Sequence, residues 1–174
     1  MALQLLLLRH AKSSWGDPDL DDHNRPLSER GSRVADVMAS FLAAENLSPD
    51  LVLCSTAERT RRTLDPILQN WPDLPVRYED DLYLASVSDV VKHLEALEGV
   101  YRVLVIGHDP AMKEVARHLI SRSMDHNSQA MANLSVKYPT GALAILNLNI
   151  ESWNDIARGC GQLTHFIKPR DLDQ

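Results

Sequence analysis

The stretch that decides the fold is Leu3-Gln4-Leu5-Leu6-Leu7-Leu8-Arg9-His10, an apolar run that stops abruptly at two polar residues. Periodicity alone does not separate a buried strand from a helical segment in so short a run. The run is short, and the stretch Ser13–Pro26 behind it is rich in turn residues, which together favour a central parallel strand. Ser28 then offers a helix N-cap, and Val34, Val37, Met38, Phe41 and Leu42 recur at helical spacing to an end near Asn46.

The same alternation continues down the chain. Leu51–Cys54 reads as a second strand, and Ser55 and Glu58 have the spacing of a capping box opening a helix from about Thr56 to Asn70. Val76–Tyr78 reads as a third strand, and Ser86–Asp89 opens a helix whose apolar face includes Val90, Val91, Leu94 and Leu97. Arg102–Ile106 is a strand closed by Gly107-His108. Asp109 and Pro110 are expected to serve as N-cap and first-turn proline of a helix to about Ser121. Arg122–Tyr138 reads as loop with one short helix at most, and Ala142–Leu148 and Leu163–Ile167 as late strands. Strands alternating with helices predict a single domain, 1–174: an α/β three-layer α/β/α sandwich, its central sheet mostly parallel with an antiparallel edge strand.

Composition limits the function classes. The net charge of -6 argues against a nucleic-acid surface while leaving room for a small cationic pocket. The apolar N-terminal run is too short for a membrane span and lacks the features of a signal peptide, so a cytoplasmic location is expected. Neither Cys54 nor Cys160 belongs to a CxxC pair, and no disulfide framework or zinc site is suggested. Cys54 reads as a small buried hydrophobe.

In open α/β sheets, ligands bind beyond the carboxyl ends of the strands. The first strand ends in Arg9-His10, the second leads through its turn to Arg59, and a later one ends in Gly107-His108. Two histidines and two arginines are thereby directed to one rim. Arginine's planar fork suits phosphate oxygens, and a neutral imidazole is a competent phosphoryl acceptor. Arg62 reads as a solvated helix charge, and Arg61 is open to the same reading. His93, His118, His126 and His165 have no ligand spacing, and His23 sits in a loop that borders the rim. No metal and no cofactor is expected, because the arginines supply the positive charge.

Three segments carry a family resemblance. Leu8-Arg9-His10-Ala11-Lys12-Ser13 resembles the Arg-His signature of the histidine phosphatase superfamily, the phosphoglycerate-mutase-like fold. Cys54-Ser55-Thr56-Ala57-Glu58-Arg59-Thr60, with Thr63 beyond, is similar to its second motif. Val105-Ile106-Gly107-His108-Asp109-Pro110 is similar to its third. The short length, Ala11, Asp22–Leu27 ahead of Gly31, Asp81-Leu82-Tyr83 and Tyr138–Gly141 are similar to the SixA-type phosphohistidine phosphatases. The resemblance implies that His10 is the nucleophile, that Arg9 and Arg59 bind phosphate, and that His108 contacts the transferring group. Lys12, Ser13, Thr140 and Gly141 are secondary candidates for the pocket.

The resemblance also implies an acid after the third strand, and the expected position is Leu84. Among Glu79, Asp80 and Asp81, Asp81 is expected to face the rim as a substrate-binding or acidic residue, though all three also read as solvated loop charges. An apolar residue at that place favours a leaving group that needs little protonation. The expected partner is accordingly a phosphorylated protein, such as a histidine-phosphotransfer domain. The alternatives are a phosphatase for small phosphorylated molecules and a non-catalytic phospho-binding module.

Overall fold

The computed structural model describes residues 3–172. Six strands form one sheet in the order β3-β2-β4-β1-β5-β6: β1 (Leu3–Arg9), β2 (Leu51–Ser55), β3 (Val76–Glu79), β4 (Arg102–Gly107), β5 (Leu143–Leu148) and β6 (Gly161–Ile167). The four strands β3, β2, β4 and β1 are parallel. The predicted antiparallel edge is two strands wide, because β5 lies antiparallel to β1 and β6 antiparallel to β5. The polar stretch 149–160 between β5 and β6 has no crossover helix, so the chain returns beside β5 in the opposite direction.

Helices cover both faces. α1 (Glu29–Ala44) and α2 (Glu58–Asn70) pack on one, while α3 (Val87–Glu95), α4 (Ala111–Leu119) and α5 (Ser128–Val136) lie on the other. A short α6 (Pro169–Leu172) closes the described chain against α1. The leucine run explains the layering. Leu5 and Leu7 join the core beneath α4, and Leu6 and Leu8 join the core beneath α1 and α2, since successive strand residues point to opposite faces. All four are fully buried, at roughly 1.5–3 kcal/mol each of favourable transfer.

Two helix starts differ from their expected caps. Ser55 remains in β2, α2 begins at Glu58, and its cap residue Ala57 supplies no side-chain bond. Glu58 instead pairs with Arg62 at 2.7 Å. At α4 the cap is Pro110 rather than Asp109, again without a side-chain bond, and the helix begins at Ala111. Ser28 caps as expected, and Ser86, at the expected start of a helix, caps α3 within a complete capping box with Asp89. The stretch 122–138 contains α5, capped by Asn127. No described helix is long and apolar enough to cross a membrane.

Candidate active site

Parallel pairing brings the carboxyl ends of β1, β2 and β4 to one edge of the sheet. Antiparallel β5 begins at that same edge, with Leu8 opposite Leu143, so the residues before β5 join the rim. There a pocket is lined by Arg9, His10, Lys12, Ser13, Arg59, His108 and Thr140, together with Trp15, Arg25 and Asp109. The four principal candidates are therefore assembled as the strand-end rule requires, and His10 and His108 stand with ring centres 5.2 Å apart.

The backbone around His10 is held from both neighbouring strands. His10 N donates to Gly107 O at 3.0 Å, Arg9 N to Ala142 O at 3.0 Å, and Gly141 N to Arg9 O and His10 O at 3.0 and 2.9 Å. Gly141 thus positions the loop from behind and is not among the pocket-lining residues. Its φ of +79°, and a Cβ position only 2.6 Å from Val34, make glycine the residue that fits there. Thr63 ties the second motif to the first: Ala11 N donates to its Oγ1 at 3.0 Å, and Oγ1 donates to Arg59 O at 2.7 Å.

Hydrogen bonding sets the state of each imidazole. His10 Nδ1 lies 2.6 Å from Ala11 O. A carbonyl only accepts, so Nδ1 carries the proton and Nε2 keeps its lone pair. Burial, reinforced by Arg59 and Arg9, lowers the His10 pKa to about 4 against the opposing bond to Ala11, so the ring is neutral at physiological pH. His108 Nε2 lies 2.8 Å from the Ser55 hydroxyl, which also accepts from Ala57 N at 3.3 Å. His108 is the acceptor left for the hydroxyl proton, so Nε2 accepts and Nδ1 bears the hydrogen. Burial, with His10 and Arg59 adding to it, lowers His108 to about 3.

Among the described residues, the buried side-chain nitrogen and oxygen atoms without a hydrogen-bond partner are Arg9 Nε, Arg59 Nε and His108 Nδ1. All three are donors belonging to residues of this one pocket. Buried donors are normally satisfied, and three at one site form a place for an anion. No carboxylate set resembling a metal site lines it. Glu79, Asp81 and His93 do bring ligand atoms within 4.8 Å of one another, but none of them lines the pocket.

Several neighbours were not anticipated. Arg59 donates through Nη1 to Asp22 O at 2.7 Å and through Nη2 to Asp22 Oδ2 at 3.1 Å. Asp22 also accepts from Arg25, with the ion pair at 3.0 Å, and from the Tyr83 hydroxyl. The Tyr83 bond, with Arg59 and Arg25 adding to it, lowers the Asp22 pKa to about 2. Tyr83 packs edge-on against His108 and His23, and His23 in turn meets the Thr56 hydroxyl at 3.0 Å. Ser13 accepts from Arg25 at 2.8 Å, and Arg9 donates to Tyr138 O at 2.7 Å. The string DHNRPL hinted at this brace, but its partners lie 37 and 61 positions downstream.

The expectation for Asp81 is corrected. Asp80–Leu82 forms one tight helical turn that buries Leu82 and turns Asp81 to His93, whose Nε2 lies 2.6 Å away. The side chain entering the site from this segment is Tyr83, and Leu84 is exposed. Asp109, relieved of a capping role, lines the pocket. Cys54 is buried, and its thiol is pushed up to about 12.

A parallel-edge pocket with a neutral, lone-pair-bearing histidine and converging buried donors is the arrangement of a phosphoryl-transfer protein. The chain belongs to the histidine phosphatase superfamily, in its SixA-type branch: residues 5–83 match the model of the histidine phosphatase superfamily (branch 1), and SixA-type structures align with nearly the whole chain. A candidate phosphohistidine phosphatase SixA from Nakamurella multipartitia is 31% identical, with 97% of each chain covered and a TM-score of 0.84. Another from Agrobacterium tumefaciens is 28% identical, covering 97% of this chain and 99% of that one, with a TM-score of 0.81. An uncharacterised protein of Mycobacterium tuberculosis is 36% identical over 165 residues, which span 94% of this chain and all of the relative.

Proposed function

We propose that the protein hydrolyses phosphohistidine on a partner protein through a phospho-His10 intermediate. The observation that carries this reading is the set of three unpartnered buried donors around a histidine whose Nε2 lone pair is available. Nε2 attacks phosphorus in line, a new N–P bond forms, and the N–P bond of the substrate breaks. The leaving imidazole is protonated before or during departure. Water then attacks phospho-His10, inorganic phosphate leaves, its proton passes to solvent, and His10 Nε2 regains its lone pair. Arg9 and Arg59 hold the phosphoryl oxygens, and His108 Nδ1–H donates to the same group as its charge redistributes.

The leaving group supports a phosphoramidate. Asp81 is engaged by His93, and Asp22 is ionised at neutral pH, so neither delivers a proton to an alkoxide. A phosphohistidine nitrogen needs no such delivery once protonated. The test is kcat/KM on a phosphorylated histidine-phosphotransfer domain beside an unactivated alkyl phosphate. A strong preference for the domain is expected, and comparable values would sink the reading.

One observation favours a second reading, a small-molecule phosphomonoesterase. Asp109 is the carboxylate lining the pocket and acts through its charge on Arg9. If it protonates an alkoxide, Asp109→Asn lowers monoester turnover selectively. Under the phosphohistidine reading, the same variant leaves phosphohistidine turnover near wild type.

A further inference from the structure

Beside the catalytic pocket lies a second cavity of about 490 Å³. Five cations line it, Lys12, Arg30, Lys137, Lys168 and Arg170, and no carboxylate does. None of the five belongs to an ion pair among the described residues. In a chain of net charge -6, such a gathering is a local departure from the mean field. Lys12 and Thr140 line both this cavity and the catalytic pocket, so one ligand can reach both.

Exposed apolar side chains also stand near the same mouth. Among the described residues, the most exposed large hydrophobic side chains are Leu84, Val136 and Trp15, at 83%, 80% and 76%. Trp15 lines the catalytic pocket, Val136 lines the second cavity, and Leu84 follows Tyr83, whose ring packs on His108. Leu84 also has a φ of +59°, a left-handed backbone that disfavours leucine. A leucine held in that conformation carries backbone strain that its exposed side chain does nothing within the fold to offset, which points to use elsewhere.

We infer that the five-cation cavity and the apolar side chains around the mouth form a docking face for the folded domain carrying the phosphohistidine, with acidic residues of that domain seated over the cavity. The inference rests on the phosphohistidine reading and names its partner chemistry. A small ligand filling the cavity does not account for apolar side chains supplied by three separate segments around the opening. A domain surface does, with exposed charges steering its approach and apolar contacts holding it.

The test uses the triple variant Arg30→Ser, Lys137→Ser, Arg170→Ser, all at exposed positions and none in the catalytic pocket. On a phosphorylated acidic histidine-phosphotransfer domain, kcat/KM is expected to fall about tenfold through KM, with a weaker salt dependence and unchanged kcat. On an aryl phosphate, kcat/KM stays within about twofold of wild type, which also reports an intact fold. A second variant, Leu84→Ser with Val136→Ser, should raise KM for the domain alone. Wild-type turnover of the domain that both variants match would refute the docking face and leave the phosphohistidine reading standing. An equal loss on the aryl phosphate would refute it too, by placing those charges in phosphate binding itself. If the wild type does not hydrolyse the domain at all, the functional reading fails and the docking face falls with it.

Discussion

Replacing Ser55 by alanine removes one oxygen and should disturb catalysis out of proportion to that change. The side chain is fully buried, and its hydroxyl holds His108 Nε2 at 2.8 Å while accepting from Ala57 N at 3.3 Å. In Ser55→Ala, His108 Nε2 and Ala57 N lose that partner, at about 1–3 kcal/mol for each group left buried and unsatisfied. The hydroxyl also keeps the proton on His108 Nδ1. Without it, the ring relieves its unpaired Nε2 only by moving or by changing tautomer, and the other tautomer turns a lone pair toward the phosphoryl oxygens. A fixed donor of this kind contributes about 10²–10³ in kcat, so weakening its orientation is expected to cost about 10–100-fold. Stability should fall as well, by about 2–4 °C in Tm per kcal/mol for a chain of this size. Steady-state kinetics on an aryl phosphate and on the phosphohistidine domain measure the first effect, and ¹⁵N chemical shifts of His108 report the tautomer. Ser55→Thr restores the hydroxyl and should return the tautomer toward wild type, while its added methyl in a fully buried site still costs stability. A Ser55→Ala enzyme within twofold of wild-type kcat/KM, still protonated on Nδ1, would refute the tautomer argument.

The His10 imidazole should titrate with a midpoint at about 4, and Arg59→Ala should move it upward by removing a nearby positive charge; an NMR midpoint near the ordinary 6.5 in wild type would contradict this. Stability should decline as pH falls from about 6.5 toward 3, because the unfolded chain binds protons at His10 and His108 that the folded chain refuses until about 4 and 3. Asp22 adds to the decline at the acid end, since its stabilisation is present above its unfolded value of 3.8 and lost as pH falls toward about 2. Thermal melts across that range check the sign, and His108→Asn should flatten the slope. Gly31→Ala should cost more than a few tenths of a kcal/mol, because its Cβ position lies 2.0 Å from Lys12 O, two residues past the nucleophile. Overpacking of this kind costs about 1–3 kcal/mol, with lost activity from a displaced His10 loop, read by denaturant melts and kinetics together.

Much of the fold was legible because its signals are local. The run Leu5–Leu8 is apolar at every position, which suits a strand covered on both faces, and that is where β1 lies. The helix cap at Ser28 and the helix start at Ser86 were readable for the same reason, since a cap and its helix are neighbours in sequence. The Ser55 cap failed on that very logic. Its spacing to Glu58 satisfies the local rule, but β2 keeps Ser55 extended and the hydroxyl is drawn across the sheet edge to a histidine 53 positions away. Asp109 failed similarly, the helix starting one residue later than its cap spacing suggests.

What the sequence by itself determined is the set Arg9, His10, Arg59 and His108, because strand ends place residues at a rim whatever the details of packing. Only the tertiary structure decided how that set is held. Asp22 and Tyr83 brace Arg59 from a loop and a turn far apart in the chain, and Ser55 orients His108. Tertiary structure also turned Asp81 away to His93 and brought Asp109 to the mouth. Side-chain partners across such separations depend on sheet order and loop closure, and neither is encoded in the spacing of nearby residues.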